Sequence, residues 1–185
     1  SRKFRGDLEV RRFTGSDLTV INVLSFDQYL YGVVPSEMES GSHIEALRAQ
    51  AVASRTYTLN NLNKHSKYEF NLCASTHCHV YSGLSGETLE SNKAVDDTLG
   101  KVITYNGKPA QVFYFASSGG KTEYSRNVWS GDYPYLKTVE DKYELTTSSH
   151  YSWEKTITAS QLKDVMMKRG EDVGDILSMN ITKVS

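Results

Sequence analysis

The sequence is short of most of the features that would place it quickly. It has only two cysteines in 185 residues, and at this length a chain buries roughly 70% of the surface its unfolded form exposes, so the fold needs no disulfides. Charge of one sign is missing as well: 21 basic residues face 22 acidic ones, for a net charge of -1. With no long basic block, counterion release is not an obvious driving force for binding nucleic acid, and no nucleic-acid partner is expected. There is no apolar run long enough to span a bilayer and no signal peptide. The chain opens Ser1-Arg2-Lys3-Phe4 rather than with Met, which reads as a processed or truncated form from which an anchor could have been removed. Repeats, low-complexity tracts and βαβ regularity are also lacking. What stands out is aromatic content, with 12 tyrosines and two tryptophans. Such rings suit carbohydrate faces, but strands favour them too.

Strands and helices are mixed, and the fold expected is α+β, in one domain over residues 1–185. Leu8–Phe13 and Leu18–Leu24 read as a hairpin around Gly15-Ser16-Asp17. Tyr29–Val34 reads as an extended run ending at Pro35. Ser36 and Glu39, then Ser42 and Glu45, each fit a capping box, which predicts a short helical turn and then a long Ala-rich helix from about His43 to Leu62. A further helix is predicted over Thr88–Leu99, stopped by Gly100. Val102–Tyr105 and Ala110–Phe115 flank Asn106-Gly107, a type I′ hairpin signal. The last expected elements are a strand at Trp153–Ile157, a helix at Ser160–Lys168 and a strand at Asn180–Val184.

On this reading Glu37 projects from a helix entrance beside Val33, Val34 and Met38. An acid in a first turn is usually an electrostatic cap gaining about 0.3–1 kcal/mol. Glu39 suits that task better, which leaves Glu37 free. Desolvation by the apolar neighbours would raise its pKa toward the range of a general acid. Arg48 and Arg55 share one face of the long helix. They form either a solvated stripe pairing with Glu45 and other acids, or, for Arg55, an inward guanidinium holding a carboxylate or sugar oxygens. Both cysteines and two of the five histidines fall within Cys73–His79. Zinc takes thiolates and imidazoles, whereas a Cys73–Cys78 disulfide is the competing reading and leaves the histidines unexplained. Cys73 and Cys78 are the best ligands, His77 the next and His79 the weakest. In a plain strand His77 and Cys78 would face opposite ways, so the site requires a turn. Ser117-Ser118-Gly119-Gly120 lacks a nucleophile elbow and reads as a ligand-holding loop.

Four segments, Tyr29–Met38, Glu45–Tyr57, Ser117–Thr122 and Trp129–Leu136, resemble the SpoIID family, which includes the amidase-enhancer proteins. The likeness extends from about residue 18 to 141. It implies a bacterial lytic transglycosylase that cleaves peptide-denuded peptidoglycan strands during spore engulfment. The partner implied is a cell-wall amidase. The location implied is extracytoplasmic, between mother cell and forespore, with membrane contact only through an anchor in the full-length protein. The resemblance makes Glu37 the catalytic acid and Arg55 its companion. Ser117, Ser118, Tyr135 and Lys137 become groove residues, the last two because a Tyr-x-Lys strand shows both on one face. The clustered cysteines resemble a metal-binding subset of the family, with zinc as the expected cofactor. There are two departures. Glu39 stands where the family usually has Pro, and no Gly-His-Gly-Val-Gly-Met-Ser-Gln-like segment precedes Ser185. The alternative to catalysis is a glycan-binding module that activates an amidase.

Overall fold

The computed structural model describes residues 2–15, 17–144 and 151–180. It is α+β and divides into two compact units, Ser1–Tyr114 and Phe115–Ser185. In the first, β1 (Asp7–Arg12) and β2 (Leu18–Val23) pair antiparallel, with Val10 opposite Val20. Three helices follow: α1 (Phe26–Glu37), α2 (Ile44–Asn61) and α3 (Leu89–Asp97). A second small hairpin, β3 (Thr104–Tyr105) and β4 (Lys108–Pro109), completes the unit. Asn106 and Gly107 between them both have positive φ, 49° and 74°, as a type I′ turn demands.

The core is where the three helices meet. Leu30 and Val34 of α1 pack with Leu47 and Ala51 of α2 and with Ala94 and Val95 of α3. The long helix falls within a residue of its predicted limits at either end. Its N-cap is His43 rather than Ser42, with the imidazole Nδ1 accepting from the Glu45 amide at 3.3 Å. Thr88 caps α3 by accepting from the Ser91 amide, and Gly100 ends the turn after it at φ 71°.

The main correction is α1. Tyr29–Val34 is helical, not extended, and the helix runs to Glu37 with Pro35 inside its last turn. The signal was present: Phe26, Tyr29, Leu30, Val33 and Val34 recur at i, i+3, i+4, i+7 and i+8. Gln28 also reaches back to the Ser25 amide at 3.2 Å, the return arm of a capping box. Valines and tyrosines suggested a strand, but helix packing overrode that weak preference. Gly32 permits a close approach here, since a Cβ at this position would lie 2.4 Å from the Tyr81 ring.

The second unit holds α4 (Ser125–Val128) and α5 (Ala159–Lys168), with a bridge between Lys121 and Glu140. No strand forms at Trp153–Ile157 or Ala110–Phe115 among the described residues, and residues 181–184 of the last expected strand lie outside them. No described helix is long and apolar enough to cross a membrane.

Candidate active site and metal-ligand cluster

Glu37 is the final residue of α1, so the expected helix entrance is a helix exit. The macrodipole there works against a carboxylate instead of for it. The side chain is half-buried. Burial pushes its pKa up from the ordinary carboxylate value, and a hydrogen bond from the Val80 backbone amide partly offsets this. Tyr114 sits close enough for the Glu37 charge to raise its own pKa, after burial, and it hydrogen-bonds Ser54. A half-dry acid with a raised pKa and a backbone amide donor is equipped to give and recover a proton.

The segment Cys78–Gly83 packs along α1. His79 meets Tyr29, Tyr81 covers Gly32, and Ser82 hydroxyl lies 2.9 Å from that of Ser36. Arg55 lies elsewhere. Its guanidinium is 3% exposed and donates to Asp27 at 3.2 Å and to the Val95 carbonyl at 3.1 Å, with longer bonds to Thr98 and the Lys101 carbonyl. Asp27 opens α1 while Glu37 closes it, roughly 15 Å apart along the axis. Arg55 therefore points inward at a carboxylate, as the sharper reading held, but that carboxylate is Asp27. The structure uses it to tie α1, α2 and α3 together. Arg48 follows the plainer reading and pairs with Glu45 and Asp97.

Cys73, His77 and Cys78 converge as expected, because the chain turns at Ser75, where the Cys78 amide donates to the Ser75 carbonyl at 3.0 Å. Both thiols are free, not joined. A fourth side chain able to ligate a metal, which the sequence did not single out, joins them. His65 precedes the 3₁₀ turn Ser66–Tyr68, with its ring stacked on Phe70 at 4.9 Å. The ligand atoms of His65, Cys73, His77 and Cys78 all lie within 4.8 Å of one another. His65 was legible only as a histidine in a short loop eight residues before Cys73. Burial opposes ionisation of Cys73, but hydrogen bonds from Ser75, His77, Cys78 and His65 outweigh it and draw the thiol down to about 6. Burial pushes Cys78 the other way.

His79 is not part of this group. It is 1% exposed, with Nδ1 at 3.1 Å from the Tyr29 hydroxyl and the ring 4.6 Å from that of Tyr57. Burial lowers its pKa to about 4, so the imidazole is neutral. Its Nε2 has no hydrogen-bond partner among the described residues, a cost of about 1–3 kcal/mol.

The predicted groove residues belong to the second unit. Ser117 and Ser118 hydroxyls donate to Glu144 at 2.9 and 2.7 Å, and Ser118 also donates to Asp141 at 3.0 Å. These bonds, with one from the Ser118 amide, lower the Glu144 pKa. Tyr135 sits in a turn closed by the Leu136 amide on the Tyr133 carbonyl at 2.9 Å, not in a strand. The shared strand face proposed for Tyr135 and Lys137 is therefore absent. Lys137 is exposed, and its carbonyl accepts from the Thr122 hydroxyl.

The first unit also carries the family signature. A family model described as SpoIID, stage II sporulation protein, matches residues 14–105. This chain belongs to the SpoIID family. The matched span contains Glu37, Arg55 and all four members of the cysteine–histidine cluster. The SpoIID chain is 36% identical over 156 residues to a protein named amidase enhancer from Bacillus subtilis, covering 84% of this chain and 19% of that protein. It is 34% identical to stage II sporulation protein D of the same organism, covering 76% of this chain and 45% of the relative. The stage II sporulation protein D of Bacillus amyloliquefaciens is 30% identical, with 83% and 49% covered. The chain thus spans less than half of each of these three relatives.

Proposed function

We propose that this SpoIID chain is a lytic transglycosylase acting on peptide-denuded peptidoglycan strands in the extracytoplasmic space of a sporulating cell. The observation that carries the reading is Glu37: one half-buried carboxyl, its pKa raised by burial, held by a backbone amide within the family signature. A hydrolase would need a second carboxylate, whereas a transglycosylase needs one group that acts twice. Protonated Glu37 gives its proton to the oxygen bridging N-acetylmuramic acid and N-acetylglucosamine as the C1–O bond breaks. The resulting carboxylate takes the proton of the muramic 6-hydroxyl, whose oxygen closes on C1. The ring product is a 1,6-anhydro end, Glu37 regains its proton, and no water is consumed.

Zinc fits the second centre. For Zn–S of 2.3 Å and Zn–N of about 2.05 Å, tetrahedral geometry sets each S···N edge near 3.6 Å. The observed edges are 3.6 Å for Cys73–His77, 3.4 Å for Cys78–His65 and 3.7 Å for Cys78–His77. Cys73, Cys78, His65 and His77 would fill a four-coordinate shell, so a bound zinc would supply loop rigidity rather than an open reactive position. Arg55 acts through packing, and the Ser117–Ser118 loop, Tyr135 and Lys137 are candidate glycan-binding groups of the second unit considered by itself.

The second reading, a glycan-binding activator of an amidase, rests on the likeness to the amidase enhancer. Glu37→Gln separates the two. On the transglycosylase reading it abolishes strand cleavage and leaves glycan binding intact. If the native chain binds strands without cutting them, the activator reading stands.

A further inference from the structure

His79 is a buried imidazole that belongs neither to the cysteine–histidine cluster nor to the proton transfer at Glu37. It lies between a metal-ligand candidate, Cys78, and Val80, whose amide holds Glu37. Two residues of chain span at most about 7 Å, so the cysteine–histidine cluster and the acid are joined by a very short strap. The middle of that strap is clamped. Tyr29 of α1 bonds the imidazole Nδ1 at 3.1 Å, Tyr57 of α2 packs on the ring at 4.6 Å, and Tyr114, the neighbour of Glu37, stacks 15° from parallel at 6.3 Å. An imidazole held by both helices cannot shift without moving the backbone on either side.

We propose that His79 is a positioning residue: locked by Tyr29, Tyr57 and Tyr114, it transmits the order of the four-ligand cluster to the Val80 amide and so fixes Glu37. This rests on the reading of Glu37 given above and adds a mechanical link between the two centres. Closing the cluster around zinc immobilises Cys78. The strap then has no slack, and the Val80 amide stays aimed at the carboxylate.

The test is amide hydrogen exchange of the isotopically labelled chain, without metal and with one equivalent of Zn²⁺. Zinc slows exchange at Val80 by about tenfold or more in the native chain, as expected for a bond that stops opening locally. In His79→Ala the metal still binds, followed with Co²⁺ through its thiolate charge-transfer band, but the slowing at Val80 falls below about twofold. Tyr29→Phe keeps the ring and removes the hydroxyl bond, so it gives an intermediate slowing and serves if His79→Ala fails to fold. Equal slowing in the native chain and both variants overturns the proposal, as does a native Val80 amide that ignores zinc. The readout involves no glycan. If Glu37→Gln continues to cut strands, the functional reading falls while the exchange result still stands or falls by itself.

Discussion

His65 provides a demanding test of the metal centre, because the three-dimensional arrangement and not the sequence pattern brought it in. Replacing it with Asn removes one imidazole and leaves Cys73, His77 and Cys78 in place. Structural zinc sites of this type bind with about 10–16 kcal/mol in total, or roughly 2.5–4 kcal/mol per ligand of four. At 1.4 kcal/mol per tenfold change, His65→Asn should weaken zinc binding by about 10²- to 10³-fold. Competition against a chromophoric chelator measures this, and Co²⁺ absorption reports the loss of tetrahedral coordination. His79→Gln is the matched comparison. It lies beside Cys78 but outside the ligand group, so it should change affinity by no more than about tenfold. An unchanged affinity in His65→Asn would refute the four-ligand assignment, as would an equal loss in His79→Gln.

The raised pKa of Glu37 has a stability consequence. A carboxyl whose folded pKa lies above its unfolded value favours folding below the ordinary carboxylate range and loses that contribution as pH rises through the folded value. Glu37→Gln should therefore raise Tm at neutral pH, with the gap closing in melts below pH 4. Glu87 runs the opposite way. Burial raises its pKa, but the bidentate Arg5 contact at 2.7 Å outweighs this and lowers it. Its contribution is complete above the ordinary carboxylate range and is lost as pH falls below it, so Glu87→Gln should flatten the acid limb of a Tm–pH curve. Arg55→Ala should destabilise by about 3–5 kcal/mol, because it strands Asp27 and removes the donor that the Val95 and Lys101 carbonyls share; urea unfolding measures it. Gly32→Ala should cost about 1–3 kcal/mol or more, since the new methyl would sit 2.4 Å from the Tyr81 ring. An unchanged midpoint would show that Tyr81 does not pack on α1.

Local chemistry that acts over a few residues was legible in the chain. The Ala-rich helix, the Thr88 cap and the Asn106-Gly107 turn all form at or near their predicted places. Three of the four side chains that meet in the cysteine–histidine cluster stand out in the sequence by clustering alone. Features decided by distant packing were not legible. Tyr29–Val34 carries strand-like residues, yet its buried stripe serves a three-helix core, and that choice turned Glu37 from a helix entrance to a helix exit. His65 joins the cluster only because the chain leaving α2 turns back toward Cys78. His79 was ranked as a weak ligand, and its neighbours Tyr29, Tyr57 and Tyr114 come from three separate parts of the chain. For Arg55 the sequence leaves open a solvated stripe or an inward guanidinium facing a carboxylate or sugar oxygens, and its pairing with Asp27 depends on how α1 docks against α2.

The central claim is that Glu37 alone carries a proton across a sugar bridge without admitting water. Mass analysis of denuded glycan strands after incubation with the chain decides it. Fragments with ends lighter by one water, absent when Glu37→Gln is used, are the predicted result. Hydrated ends, or strands left whole by the native chain, would contradict it.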